Sequence, residues 1–353
     1  MKVISVVGAR PQFVKLAPID RALRSAGHEH VIIHTGQHYS PELSDALWTD
    51  LGIPQPDLNL GVGSGTHAQQ TAAMLTGLET AFEAEPSQWV LVYGDTNSTL
   101  AAALAAAKIH RRVAHLEAGL RSGNRRMPEE HNRVVTDHLA DLLLAPTLTA
   151  MSHLDDEGLA ARSVNVGDVM ADVCLTVHEL TEAAPPVMPE AWAGDRTRVL
   201  ATIHRADNTD DPERLRLLID RLAAVPYEVM LVAHPRLVAK AADAGLTLER
   251  PGITPVASLT YSQMVHATAH ARGVITDSGG LQKEAFLLGT PTITARTETE
   301  WPETLVDDWN VIDPELRLDA VAQFERVRPA SQNFPFGHGD AAQRAVEALS
   351  AAL

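Results

Sequence analysis

Short runs that are apolar on both faces alternate along this chain with helical stretches. In the first half the runs are KVISVVG (2–8), HVIIHTG (30–36), WVLVYGD (89–95), RVAHLEAG (112–119), DLLLAPT (141–147) and SVNVGD (163–168). Strands covered on both sides of a sheet have this pattern. A helical stretch from Val14 to about Ser25 separates the first two, and an Ala-rich helix follows the third. Strand–helix alternation predicts βαβ crossovers and a doubly wound parallel sheet.

The rhythm breaks at EAAPPVMPEAWAGD (182–195), whose Pro and Ala content predicts a surface connection, and then restarts. RVLATIH (198–204), EVMLVAHP (228–235), GITPV (252–256), RGVITDSGG (272–280) and TPTITA (290–295) supply a second set of strands. The expectation is an α/β protein of two Rossmann-like domains facing a cleft. Residues 1–167 with 339–353 form the first domain, which carries the acid/base carboxylates, and 168–338 form the second. The terminal DAAQRAVEALSAAL is predicted helical and crosses back onto the first domain. No fixed-period repeat, heptad or low-complexity tract is present, and no GxGxxG follows a strand, so a dinucleotide cofactor is not expected.

A chain of 353 residues exceeds the size at which one core stops growing, in keeping with two domains. A net charge of −16 argues against general nucleic-acid binding but leaves room for a small phosphate-bearing ligand held by local cations and helix N-termini. No apolar run approaches the roughly 20 residues that span a bilayer, and the N-terminus lacks a signal-peptide layout, so no membrane association and a cytoplasmic setting are expected. The single cysteine, Cys174, excludes a disulfide framework and reads as a packing residue. None of the 16 histidines shows the i, i+4 pairing with a nearby glutamate found in zincins, so no metal is expected.

The segment 94–133 is the richest in chemistry. Asp95, Glu117, Glu129 and Glu130 lie at two predicted strand ends and one helix start, and a parallel sheet gathers strand ends along one rim. Clustered carboxylates raise one another's pKa and suit proton transfer near neutrality. Asp95 also reads as an N-cap before TNSTLAAAL, Glu129 and Glu130 suit a helix first turn, and Arg133 is set to pair with either. Glu117, in an otherwise apolar strand end, has the weakest structural explanation.

Two strand-to-helix turns suit an anion. In GARPQFVK (8–15), Gly8 allows the turn, Pro11 a first helical position, and Arg10 and Lys15 reach toward the helix terminus. In TDSGGLQKEAFLLG (276–289), Asp277 or Ser278 caps the helix while Gly279 and Gly280 let phosphate approach backbone N–H groups. Glu284, a turn further on, suits the hydroxyls of a ribose. The implied ligand is a nucleoside diphosphate group. His204 and Arg205, just past the strand 198–204, face the same cleft in a parallel sheet, where a histidine meets phosphate or serves a leaving group as acid. His234 in AHPR is a weaker candidate of the same kind.

GARPQFVKLAP, TGQHYS, YGDTNSTLAAALAA, HLEAGLRS, MPEEHNR, NVGDVMAD, TIHRADNTDDPERL, HPR, TDSGGLQKEAFLLGTP and TEWPE together resemble the non-hydrolysing UDP-N-acetylglucosamine 2-epimerases, in order from Gly8 to about Glu303. The HRxxNTDD form of the histidine motif resembles the branch that includes epimerases of UDP-2,3-diacetamido-2,3-dideoxyglucuronate. The resemblance implies a glycosyltransferase-B-like fold, usually a homodimer, interconverting UDP-GlcNAc and UDP-ManNAc without NAD or metal. Such enzymes remove the C2 proton, expel UDP to leave 2-acetamidoglucal, and add UDP back after protonation on the opposite face. By motif the resemblance assigns Asp95, Glu117 and Glu129 to proton transfer and His204 to the diphosphate. It assigns Arg10, Lys15, Ser278, Gly279, Gly280 and Glu284 to UDP binding, and Arg133 and Arg205 are further substrate-binding candidates. Alternatives on this fold are 2-epimerisation of the diacetamido sugar, a hydrolysing relative releasing ManNAc and UDP, a true glycosyltransferase, and a UDP-sugar sensor without activity.

Two departures stand out. TEWPE puts Trp301 where the family's TERPE has an arginine near the phosphates, so other cations must neutralise them. QHYSPELSD keeps Gln37 and His38 but loses the rest of the QHREMLDQ motif tied to allosteric UDP-GlcNAc, so that regulation is not expected. A sugar with a C6 carboxylate would need another cation, for which Arg121, Arg125 and Arg126 are candidates.

Overall fold

The computed structural model describes residues 1–37, 54–192, 198–326 and 334–353, apart from the side chains of Arg10 and Pro11. His38 and the segment after it, on which the regulatory expectation rested, lie outside the described residues. The chain forms two compact units, Met1–Val173 with Phe334–Leu353, and Cys174–Asn333.

In the first unit the strands are β1 (Lys2–Val7), β2 (Glu29–His34), β3 (Leu58–Asn59), β4 (Trp89–Tyr93), β5 (Val113–Leu116), β6 (Leu142–Ala145) and β7 (Ser163–Asn165). The helices are α1 (Arg10–Ser25), α2 (His67–Ala84), α3 (Asn97–Lys108), α4 (Pro128–Leu139) and α5 (Leu148–Asp156), and α6 (Val169–Ala183) begins here, its residues from Cys174 onward belonging to the second unit. All strand pairs are parallel, in the order β3-β2-β1-β4-β5-β6-β7. The order reverses between β1 and β4, and a doubly wound sheet opens its crevice at the carboxyl ends of such neighbours. Gln12 clamps this point: its Oε1 accepts from the backbone N–H of Gly8 and Ala9 at 2.8 and 3.0 Å, and its Nε2 donates to the Tyr93 carbonyl at 2.8 Å. Gly8 is required by close approach, since a Cβ there would collide with the hydroxyls of Thr35 and Ser98.

The second unit contains β8 (Arg198–Thr202), α7 (Ala206–Thr209), α8 (Pro212–Ala223), β9 (Glu228–Val232), α9 (Pro235–Asp243), β10 (Ile253–Val256), α10 (Tyr261–His270), β11 (Gly273–Thr276), α11 (Gly279–Leu288), β12 (Thr292–Thr294), β13 (Asn310–Ile312) and α12 (Ala320–Phe324). Its parallel sheet runs β10-β9-β8-β11-β12-β13 and reverses between β8 and β11. Alternate residues of β8 face opposite layers, as a pleated strand requires. Val199 and Ala201 pack with Leu215, Leu218 and Leu222 of α8, whereas Leu200 packs with Leu281 and Ala285 of α11.

The last helix, α13 (Ala341–Ala351), buries Ala341, Ala345, Val346 and Leu349 in the first unit. Asp172 accepts from the backbone N–H of Ala341 and Ala342 at 3.0 and 2.8 Å, and the Trp89 indole donates to the Leu349 carbonyl at 3.0 Å. Both units are Rossmann-like. Helix α2 and strands β3 and β13 were not foreseen. The signal for α2 was present in T-x-x-Q, because Gln69 N donates to Thr66 Oγ1 and Thr66 N donates to Gln69 Oε1, a capping box.

Candidate active site

The switch point of the first unit carries the acid/base candidates. Asp95 follows β4 through Gly94, and Glu117 follows β5 directly. The N-cap of α3 is Thr96, whose hydroxyl accepts from Thr99 N, so the alternative reading of Asp95 as the cap does not hold. Glu117 has φ of +72°, a left-handed conformation that costs a non-glycine residue on the order of 1–3 kcal/mol. Its N–H and that of Ala118 both donate to the Leu144 carbonyl, which helps fix this geometry. Strain of this kind collects where a side chain must be aimed.

Lys15 and Arg133 stand against carboxylates. Lys15 is ion-paired with Glu117, both side chains nearly sealed from water. Arg133 donates to Asp95 through Nε and Nη2 at 2.9 and 2.7 Å, and to Glu130 through Nη1 at 2.8 Å. Asn132 Nδ2 adds a bond to the Asp95 carbonyl at 2.8 Å. Burial raises the Asp95 pKa, Arg133 opposes this, and the charge of Glu117 reinforces it, so the net shift is upward. Burial works against the charge on Lys15, yet the attraction of Glu117, followed by Asp168 and Asp95, holds its pKa above the usual value.

Glu129 and Glu130 both occupy the first turn of α4, but their surroundings differ. Glu130 accepts from the N–H and hydroxyl of Ser122 and from Gly123 N at 2.9 to 3.0 Å. Burial disfavours its charge, but these bonds and Arg133 win and lower its pKa. Glu130 therefore shapes the loop before α4. Glu129 makes no hydrogen bond or ion pair among the described residues and stays available.

A buried pair beneath the strand ends went unnoticed in the sequence. His115 lies between Asp137 Oδ1 at 2.6 Å and the Gly94 carbonyl at 2.7 Å, both acceptors, so both ring nitrogens donate. Asp137 Oδ2 also meets Gly119 N at 3.1 Å and Arg121 Nη1 at 2.7 Å. Arg121 further pairs with Glu157 at 2.7 Å, so it is not a spare cation for a sugar carboxylate. Arg125 and Arg126 remain exposed.

The switch point of the second unit gathers the anion candidates. Ser278 is the N-cap of α11 and accepts from Leu281 N at 3.4 Å. Asp277 has a different role: fully buried, it accepts from His204 N, Arg205 N and Asn208 Nδ2 at 2.9 to 3.1 Å, and lies 3.3 Å from His204 Nδ1. One carboxylate thus ties the end of β8 to the start of α11. His234 sits 5.5 Å from His204 ring to ring and caps α9 through Arg236 N.

Arg296, which sequence reasoning missed, lies against Gly279: a Cβ at that glycine would stand 3.5 Å from its Nη1 and 3.4 Å from Glu300 Oε2. Arg296 and Glu300 form a bidentate pair at 2.8 and 2.9 Å. The Arg205 guanidinium makes no hydrogen bond or ion pair among the described residues, and burial together with repulsion from Arg296 lowers its pKa. Glu300, Asp277 and Asp207 act on these guanidiniums as well, but the Arg205 side chain and the N-terminus of α11 keep donors that suit an anion. Trp301 is buried, with the Lys283 ammonium 3.9 Å above its ring. Glu284 is buried and accepts from the Tyr261 hydroxyl at 2.9 Å, which excludes a solvated helix glutamate. Arg10 begins α1, its side chain outside the described set.

The family model for UDP-N-acetylglucosamine 2-epimerase matches residues 21–350. A UDP-N-acetylglucosamine 2-epimerase homolog of Methanococcus maripaludis is 40% identical over 99% of both chains. The UDP-2,3-diacetamido-2,3-dideoxy-D-glucuronate 2-epimerase of Pseudomonas aeruginosa is 41% identical, again over 99% of each. The crystal structure of Methanocaldococcus jannaschii UDP-GlcNAc 2-epimerase in complex with UDP-GlcNAc and UDP superposes with a TM-score of 0.88 at 34% identity, covering 99% of this chain and 100% of that one. The chain belongs to the UDP-N-acetylglucosamine 2-epimerase family.

Proposed function

We propose that this enzyme interconverts UDP-GlcNAc and UDP-ManNAc, with the first unit moving the C2 proton and the second gripping the diphosphate. The observation that carries the reading is Glu117, strained, ion-paired with Lys15 and coupled electrostatically to Asp95. Glu117, held in place by Lys15, takes the C2 proton. As the C2–H bond breaks, C1=C2 forms and the C1–O bond to UDP breaks. Asp95, whose burial favours the protonated form, returns a proton on the other face of the resulting 2-acetamidoglucal, and a UDP oxygen re-forms the bond to C1. Glu129 is the third acid/base candidate. Arg133 holds Asp95 in position rather than binding substrate.

The leaving diphosphate carries charge that must be met by fixed donors. Ser278, Gly279 and Gly280 offer the N-terminus of α11, while Arg205, Arg296 and His204 supply side chains. Arg10 is a further candidate, and Glu284 takes the ribose hydroxyls. In this reading the enzyme acts in the cytoplasm as a homodimer, a state that light scattering on the purified protein tests.

The decisive experiment incubates the enzyme with UDP-GlcNAc in deuterated water and follows C2 by NMR, alongside the diacetamido-glucuronate nucleotide that the Pseudomonas relative's name suggests. Deuterium at C2 with UDP-ManNAc accumulating is the expected result. Free ManNAc would indicate hydrolysis, and preferential exchange of the second nucleotide would reassign the substrate. Absence of exchange in both would end the reading. Glu117→Gln is expected to lower exchange at least about 1000-fold, within the range for a lost general base, while UDP binding persists.

A further inference from the structure

Away from the strand ends, the second unit carries four side chains that this reaction does not use. Helix α6 presents His178 and Glu182, and α10 presents His266 and His270, each pair four residues apart and so on one helix face. Glu182 Oε1 lies 3.3 Å from His270 Nε2 and 3.8 Å from His178 Nδ1. One ligand atom from each of Glu182, His266 and His270 falls within 4.8 Å of the other two. The His266 and His270 rings are 4.3 Å apart.

The protons say what belongs there. His270 Nδ1 donates to the His266 carbonyl at 2.9 Å, which leaves Nε2 as the ring nitrogen that faces Glu182. Nδ1 of His178 and Nδ1 of His266 are buried without a hydrogen-bond partner among the described residues. Imidazole nitrogens and a carboxylate gathered this way make a poor hydrogen-bonded cluster and a good ligand set. The bond from His270 to a backbone carbonyl is the outer-shell support that ligating histidines use.

We propose that His266, His270 and Glu182, with His178 as fourth ligand, bind a divalent transition ion of the zinc type that pins α6 to α10. Tetrahedral zinc ligands stand about 3.4 Å apart for bonds near 2.1 Å. The Glu182–His270 distance already fits, and the wider separations close by side-chain rotation, which the half-exposed Glu182 permits. The sequence showed only half of this. HATAH contains the i, i+4 histidines but no glutamate, and the carboxylate arrives from a helix some 80 residues earlier.

The test strips the full-length protein with a chelator and titrates it with Co²⁺, followed by visible absorption, with Zn²⁺ as competitor. One ion per chain with a four-coordinate spectrum is expected, together with a rise in the thermal unfolding midpoint on adding Zn²⁺. His266→Ala and His270→Ala are each expected to weaken binding at least about tenfold and to abolish that rise. Should a histidine variant fail to fold, Glu182→Gln on the exposed side must show the same weakening. No binding by the wild type, or equal binding in wild type and variants, would overturn the proposal.

Discussion

Lys15 and Glu117 are joined across 102 positions of sequence by an ion pair whose side chains are only 10% and 12% exposed. One stands on the helix after β1, the other at the end of β5, with β4 lying between those two strands in the sheet. Only the parallel sheet makes them neighbours. Removing one partner strands a nearly buried charge, at a cost of roughly 3–5 kcal/mol. Lys15→Met is therefore expected to lower unfolding stability by about 3 kcal/mol or more, and the double variant Lys15→Met/Glu117→Gln to recover much of it. Urea unfolding of the four proteins measures the cycle. Additive losses would show that the pair is not coupled.

Asp277 anchors the His204 turn without needing to touch ligand. Asp277→Ala leaves the N–H groups of His204 and Arg205 and the Asn208 amide without their acceptor, at about 1–3 kcal/mol for each group that stays buried. The expected outcome is a KM for the nucleotide sugar raised at least about tenfold, with a loss of stability. An unchanged KM would remove this turn from substrate binding.

Gly279 and Gly280 separate packing from binding. A Cβ at Gly279 meets Glu300 and Arg296 at ordinary contact distances, and one at Gly280 has 3.8 Å to its nearest neighbour, so Ala at either position folds. Gly279→Ala nonetheless fills the space where an anion would approach the helix N-terminus. UDP affinity measured by calorimetry is expected to fall at least about tenfold in Gly279→Ala, with the unfolding midpoint within a few degrees of wild type. Undiminished affinity would move the phosphates elsewhere.

Asp172, which receives the start of α13, has a pKa raised to about 6 by burial, its bonds from Ala342 and Ala341 only partly offsetting this. A raised folded pKa means that the native state holds the proton after the unfolded chain has lost it. The contribution is full below the unfolded value near 3.8 and is lost as pH rises through about 6. Its upper bound is about 3 kcal/mol. Denaturant unfolding from pH 4 to 7 is expected to show that decline in the wild type and a flatter profile in Asp172→Asn. Identical profiles would remove Asp172 as the source.

Much of the molecule was legible before any coordinates. Continuous apolar runs identified the longer strands of both sheets, because a parallel strand covered on both faces must be apolar throughout. The two-residue β3 and three-residue β13 left no such run to read. GDTNST and TDSGG were recognisable as strand-to-helix turns and HLEAG as a strand end, and a parallel sheet gathers such ends along one rim.

Pairing was not legible. The sequence alone determined which residue types stand at each strand end, since periodicity and turn chemistry are local and survive without a fold. Beyond the expected Arg133–Glu130 pair, tertiary structure decided that Lys15 faces Glu117, that Arg133 also reaches Asp95, that Asp277 rather than Ser278 braces His204, that Arg296 supports Gly279, and that Glu182 meets two histidines of another helix. Side-chain partners are chosen by sheet order and helix packing, which bring together residues as far apart as Lys15 and Glu117 or Trp89 and Leu349. At that range neither spacing nor composition records who faces whom.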